Sequence, residues 1–481
     1  MIAPSGAASA ALAAAFKTAL LNEGELIFFI FVLLAIAWVA CRELLLAKAR
    51  ARLVLRLAAR RAGRVPEAAA RRVLRIGVGI LWIFDGLLQA QPTMPGDLPS
   101  HVISPAAAGS PGWVVHAVGW AAAAWSAHPV EAASGAVWIQ LGIGVWLLSA
   151  ASPRWSRVAG LVSTGWGLVV WTFGEAFGGM FAPGVSWLLG APGAALFYCV
   201  AGVLLALPLA AWHDPRLGRG VLRWSGAVML AFAVLQAWPG RGFWQGTWHG
   251  RPHSLAADVG AMAASRQPVV MHRLVSDASS LAASHGFAVN LAVVIALAVT
   301  GGCLLSGRAA LARPAAIVAI ALCVVDWVFV QDLGFLGGLG TDPNSMVPQA
   351  LLLTAGLLAL TAGPAPVIAD FGIVDQAPAD TASASAALAR PVQTPAWRSR
   401  RLPGRAVRGI GIALGMASTS SVLTLWAGAM VLLGVVPMAM ATVQRHPAPA
   451  AAIASGHPPV IGPSKAAAAD GRAEGRLPGP R

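Results

Sequence analysis

Apolar residues gather along this chain in runs of about 20, the length a helix needs to cross ~30 Å of hydrocarbon. Short polar segments rich in arginine separate the runs. A core helix of a soluble protein rarely extends so far without a polar face. The runs predict transmembrane helices at residues 25–46, 73–91, 130–150, 156–175, 192–212, 221–238, 285–305, 313–333, 346–363 and 410–441. The expected fold class is all-α: a polytopic helical membrane protein of about ten transmembrane helices.

Composition strengthens that reading. Of 481 residues, 57% are hydrophobic and 11% charged, against roughly 25% charged in soluble proteins. A net charge of +15 would suit a nucleic-acid binder, but its placement argues otherwise. Of 34 Lys and Arg, 24 fall in the polar segments on one side of the predicted membrane, eleven of them between Arg42 and Arg75. Loop 92–129 has none. The positive-inside rule then places both termini outside, with the lipid bilayer as partner and no nucleic acid. Only Lys17 precedes the first apolar run, so no cleavable signal is expected. Arg far exceeds Lys, and Ala and Gly abound, as in GC-rich bacterial genes; the expected location is a bacterial plasma membrane. Cys41, Cys199, Cys303 and Cys323 lie in apolar runs without a C-x-x-C pair, which reads as inert thiols.

An internal duplication is the most informative feature. VLRIGVGILWIFDGLLQAQP (73–92) matches VLRWSGAVMLAFAVLQAWP (221–239). Pro111 to His128 and Pro268 to His285 have equal spacing, VVWTFGEAFGG (169–179) matches VDWVFVQDLGF (325–335), and AGVLLAL (201–207) matches AGLLAL (355–360). Each unit has four spans, so the two point the same way, related by a pseudo-two-fold axis along the membrane normal. The organisation expected is an outer N-terminus, first span and basic cytoplasmic segment (1–72), four-helix repeat 1 (73–213), four-helix repeat 2 (221–363), a cytoplasmic linker (364–409), a last span (410–441) and a disordered outer tail (442–481).

A basic residue opening the first span of each unit, an outer segment before the second and a Gly-rich loop before the fourth resemble the DoxX family of four-helix membrane proteins, here in tandem. The resemblance implies redox or envelope-stress work, a quinone as candidate cofactor, and membrane or extracytoplasmic redox partners. It supplies no residue roles and leaves open whether the chain is an enzyme. A small-solute or ion transporter and a non-catalytic membrane scaffold are the competing classes.

Carboxylates inside apolar runs are the residues most open to a functional reading, because ionising one there costs several kcal/mol unless it faces protein or water. Asp85 lies within the second span, on one helix face with Trp82 and Gln89. Asp326 holds a comparable place in the eighth, with Gln331 and Asp332 beyond it, and Glu175 closes the fourth. Asp85, Gln89, Glu175, Asp326, Gln331 and Asp332 form the candidate polar cavity, opening outside; the alternative is that they fix helix packing. GLGTDPNSM (338–346) reads as a tight turn that would cap it. His116, His128, His272 and His285 are the weaker candidates, for copper or another metal; their alternative role is structural, at helix starts. In WHGRPH, Gly250 and Pro252 argue against His249 and His253 sharing a helix face. The tryptophans near the outer ends, among them Trp120 and Trp125, read as an interfacial belt.

Overall fold

A computed structural model describes residues 6–62, 66–150, 152–244, 255–265, 267–336, 339–361, 423–424, 426–432 and 434–435. The predicted linker and tail, WHGRPH and most of the last predicted span lie outside the described residues.

Among the described residues every regular element is helical. In order they are α1 (Gly6–Ala62), α2 (Ala69–Gln89), α3 (Met94–Leu98), α4 (Ser104–Ala106), α5 (Gly112–Ala127), α6 (Pro129–Ser149), α7 (Pro153–Val169), α8 (Ala194–Ala206), α9 (Pro215–Ala237), α10 (Leu255–Ala263), α11 (Val269–Ser284), α12 (Gly286–Leu305), α13 (Ala309–Phe329) and α14 (Met346–Leu360). Helices α6, α7 and α9 each open on proline, whose missing N–H costs nothing at that position. Ser152 caps α7 by accepting the Trp155 N–H, and Asp214 caps α9 by accepting the Arg216 N–H.

The chain is a multi-pass helical membrane protein. Residues 6–41 of α1, and α6, α9, α12 and α13, are each long and apolar enough to cross a bilayer. A sixth, α2, meets that standard together with residues 94–106, toward which the chain bends by 97°. Leu33, Ile295, Val299 and Ile317 stay exposed on these helices, as lipid contact requires.

Two expectations change. The span predicted at 25–46 is the middle of a 57-residue helix, because no proline interrupts residues 6–62; Cys41 is exposed on it. The spans predicted at 192–212 and 346–363 are helices of only 13 and 15 residues, roughly 20–23 Å long. Irregular segments, 175–193 and 330–345, run ahead of each.

Small residues let the helices approach closely. A Cβ on Gly144 of α6 would lie 2.6 Å from the Gly79 carbonyl of α2, and a Cβ on Gly226 of α9 would lie 2.6 Å from the Gly301 carbonyl of α12. Helices α7 and α8 meet likewise at Gly160 and Gly202. Two hydrophobic clusters result, and α14 belongs to both: Leu353 and Leu360 face one, Leu352, Ala355 and Ala359 the other.

One end of the bundle is pinned by arginines. Arg75 donates to the Leu147 carbonyl (2.7 Å) in the last turn of α6, and Arg71 to the Leu205 carbonyl (2.9 Å) in the last turn of α8. Unpaired carbonyls and the negative helix dipole both favour a cation there. Arg71 also reaches Ser156 of α7, and Glu67 accepts from both guanidinium groups. In the other half the Arg223 guanidinium packs on Gly307, just past α12. At the edge of the bundle, Trp426 donates to the Ile27 carbonyl of α1 at 2.9 Å, and Gly434 lies against the Gly135 carbonyl of α6.

Candidate functional site

Opposite the Arg71 end, a cavity of about 400 Å³ lies among α2, α5, α6, α7 and α8. Trp82, Asp85 and Gln89 line it from α2, as their shared face requires. Gln140 enters from α6, Trp166 from α7 and Tyr198 from α8. Trp82 is held edge-on to Tyr198, with centroids 4.7 Å apart, and donates to the Ser163 hydroxyl at 2.8 Å. Trp120 and Trp125, both from α5, line the wall as well.

Asp85 is 2% exposed, and neither carboxyl oxygen has a hydrogen bond. Tyr198 lies beside it, its hydroxyl also without a well-formed bond. Gln89 Oε1, Gln140 Oε1 and Trp166 Nε1 are in the same condition. Buried polar groups are nearly always paired; six unpaired atoms gather around this cavity, and seven more belong to Asp326, Trp327, Gln331, Asp332, Ser345 and Gln349.

Glu175 lines the cavity but has a structural bond. Its carboxylate accepts the Ala195 N–H at 3.1 Å, capping α8. Gly193 makes room, since a Cβ there would strike that carboxylate. The third carboxyl comes from the other half of the chain: Thr341 and Asp342 reach the wall from the segment ahead of α14, within the stretch the sequence marked as a cap. Burial pushes the Asp342 carboxyl above its ordinary range, partly offset by bonds from Thr341 and Asn344.

The other half returns the exchange. A second cavity, about 580 Å³, is lined mainly by apolar residues of α10 to α13, with Asp326 and Asp277, and Trp187 and Leu188 reach it from the segment ahead of α8. Trp187 donates to Gln349 Oε1 at 2.9 Å. The six polar residues singled out from the sequence therefore divide. Asp85, Gln89 and Glu175 line the first cavity and Asp326 the second. Gln331 bonds Asp326 at 2.9 Å and the Leu188 carbonyl. Asp332 is buried at φ 50°, on neither wall.

The turns after α7 and α13 share a backbone pattern. The Glu175 N–H reaches the Val170 carbonyl and Phe177 that of Trp171; Gln331 reaches Asp326 and Leu333 reaches Trp327. Polar closure differs. Gln236, in the same L-Q-A-x-P sequence as Gln89, accepts from Ser186 (2.7 Å) and donates to Asn290 (2.8 Å). Those groups satisfy one another, whereas Gln89 Oε1 and Asp85 stay open.

The histidines do not converge. His116 is exposed on α5, and the His272 ring contacts the Ala263 carbonyl at 2.9 Å. His128 and His285 sit at the breaks before α6 and α12, where their carbonyls accept the Ala132 and Val289 N–H groups. No group of three or more His, Cys, Asp or Glu converges as metal ligands among the described residues. Sequence reasoning missed Tyr198 and Gln140, although Tyr198 is the chain's single tyrosine and Gln140 a lone amide within a run.

Compared with known proteins, the chain matches no protein-family model, no curated protein sequence and no solved structure.

Proposed function

We propose that this chain is a bacterial plasma-membrane protein of about ten spans, built from two parallel DoxX-like four-helix repeats. It binds a small solute in the cavity of its first repeat. The arginine-pinned end faces the cytoplasm and the cavity faces outward. The paired glycine crossings, the matched turns after α7 and α13, and the reciprocal insertion of Trp187 and Asp342 support the duplication.

The observation that carries the solute-binding reading is the unpartnered Asp85 carboxyl, with Gln89, Gln140 and Tyr198, around a ligand-sized cavity. Gln236, which matches Gln89 in the duplication, is closed by Ser186 and Asn290. An intramembrane carboxyl left open is the usual mark of a solute or proton path, which favours transport. The redox reading has one observation of its own: the Trp166 indole N–H is an unpaired donor on the cavity wall, open to the carbonyl of a quinone ring.

The test is a thermal-shift screen of purified protein against small solutes, with mass spectrometry of molecules retained through purification. A stabilising or retained solute, lost on filling the cavity with Ala121→Trp, is the expected result. No stabilisation and no retention would overturn the reading.

A further inference from the structure

Resting on that solute-binding reading, we infer that the solute of the first cavity is a small organic ammonium ion, paired with the Asp85 carboxylate and ringed by Trp82, Trp120, Trp166, Phe173 and Tyr198. Three features of the cavity carry this. It holds a carboxyl, Asp85, with neither oxygen in a well-formed hydrogen bond, beside the carboxamides of Gln89 and Gln140. Such a set is completed by a ligand that brings donors or positive charge. Its charged lining residues are Asp85, Glu175 and Asp342, with no Lys or Arg among the residues that line it. An anion would meet only repulsion there, whereas a cation supplies the counter-charge that a buried carboxylate otherwise lacks. Six of its lining residues, Trp82, Trp120, Trp125, Trp166, Phe173 and Tyr198, are aromatic, and aromatic rings attract cations through the ring quadrupole.

Size and number follow. About 400 Å³ admits an amine bearing one ring and excludes a whole phospholipid. In the second cavity Asp326 already accepts from Gln331, and only Trp187 and Phe329 of its lining are aromatic, so one ion is expected per chain.

The test titrates the full chain in lipid nanodiscs with benzyltrimethylammonium, its neutral isostere neopentylbenzene and a short-chain benzoquinone, read by tryptophan fluorescence and calorimetry. The ammonium is expected to bind one per chain, at least tenfold tighter than the isostere. Asp85→Asn should weaken it at least tenfold and leave the isostere unaffected. If Asp85→Asn does not elute as a single folded species, Gln140→Leu carries the test, with a loss of about threefold or more. Equal affinity for ammonium and isostere, tighter binding of the quinone, or full affinity in these variants would overturn the ammonium assignment while the cavity still binds. Binding of none of the three would overturn the cavity reading itself.

Discussion

The Gln91 side chain, just past α2, donates to the Gly340 carbonyl at 2.9 Å across 249 positions of sequence. Trp187 and Gln349 make the reverse tie. Residues 73–213 and 221–363 therefore each shape the cavity of the other, and neither cavity is complete within one of these segments. Trp187→Phe keeps one aromatic ring but removes the pyrrole half of the indole with its N–H, leaving Gln349 Oε1 buried and unpaired. The cost should be roughly 1–3 kcal/mol, read as a lower unfolding temperature in detergent. Unchanged unfolding would mean that the tie contributes nothing to the assembly of the halves.

Adjacent glycines in α12 should respond differently. A Cβ on Gly301 would sit 2.9 Å from the Gly226 carbonyl of α9, whereas one on Gly302 meets nothing within 4 Å. Backbone cannot retreat without parting the helices. Gly301→Ala should destabilise the protein by roughly 1–3 kcal/mol, as overpacking does, and Gly302→Ala should be neutral or slightly stabilising. Size-exclusion profiles and thermal unfolding of the two variants check the contrast.

Much of this helical framework is legible in the runs of apolar residues, because a bilayer imposes both their length and their polarity. The run at 73–91 is α2 less its first turn. That turn is hidden because Arg71 and Arg72 read as solvated, positive-inside charge; charge counting cannot tell a solvated arginine from one that, like Arg71, caps a neighbouring helix end. The shared face of Trp82, Asp85 and Gln89 follows from helical spacing alone. The approach of Asp342 to that face does not, because it depends on a loop contributed by the other half.

Glu67 should set the acid limit of stability. Burial alone would raise its carboxyl, but the hydrogen bonds and charges of Arg75 and Arg71 outweigh that and hold it below the ordinary value of 4.5. A depressed carboxyl contributes stability that is complete above the unfolded value and lost as the pH falls through the folded one. Unfolding temperature should therefore fall as the pH drops below about 4.5. Glu67→Gln should flatten that slope. It should also lower stability at neutral pH, toward the low end of the roughly 3–5 kcal/mol for a broken buried pair, because Arg71 keeps Ser156 and Leu205. A variant with the same acid profile as the parent protein would show that another carboxylate governs it.

The contrast between Gln89 and Gln236 separates packing from binding. Gln236 is 1% exposed and bonded to both Ser186 and Asn290. Replacing it by Leu strands two buried partners, and the loss should reach roughly 2–6 kcal/mol if each costs 1–3. Gln89 Oε1 has no partner to strand, so Gln89→Leu should leave the unfolding temperature within about a degree, since removing an unpaired buried acceptor is close to neutral. Solute binding should move the other way, weakened in Gln89→Leu and retained by whatever fraction of Gln236→Leu folds. A fall in stability for Gln89→Leu equal to that of Gln236→Leu would place both glutamines in packing and leave Asp85 without its polar neighbour as a binding group.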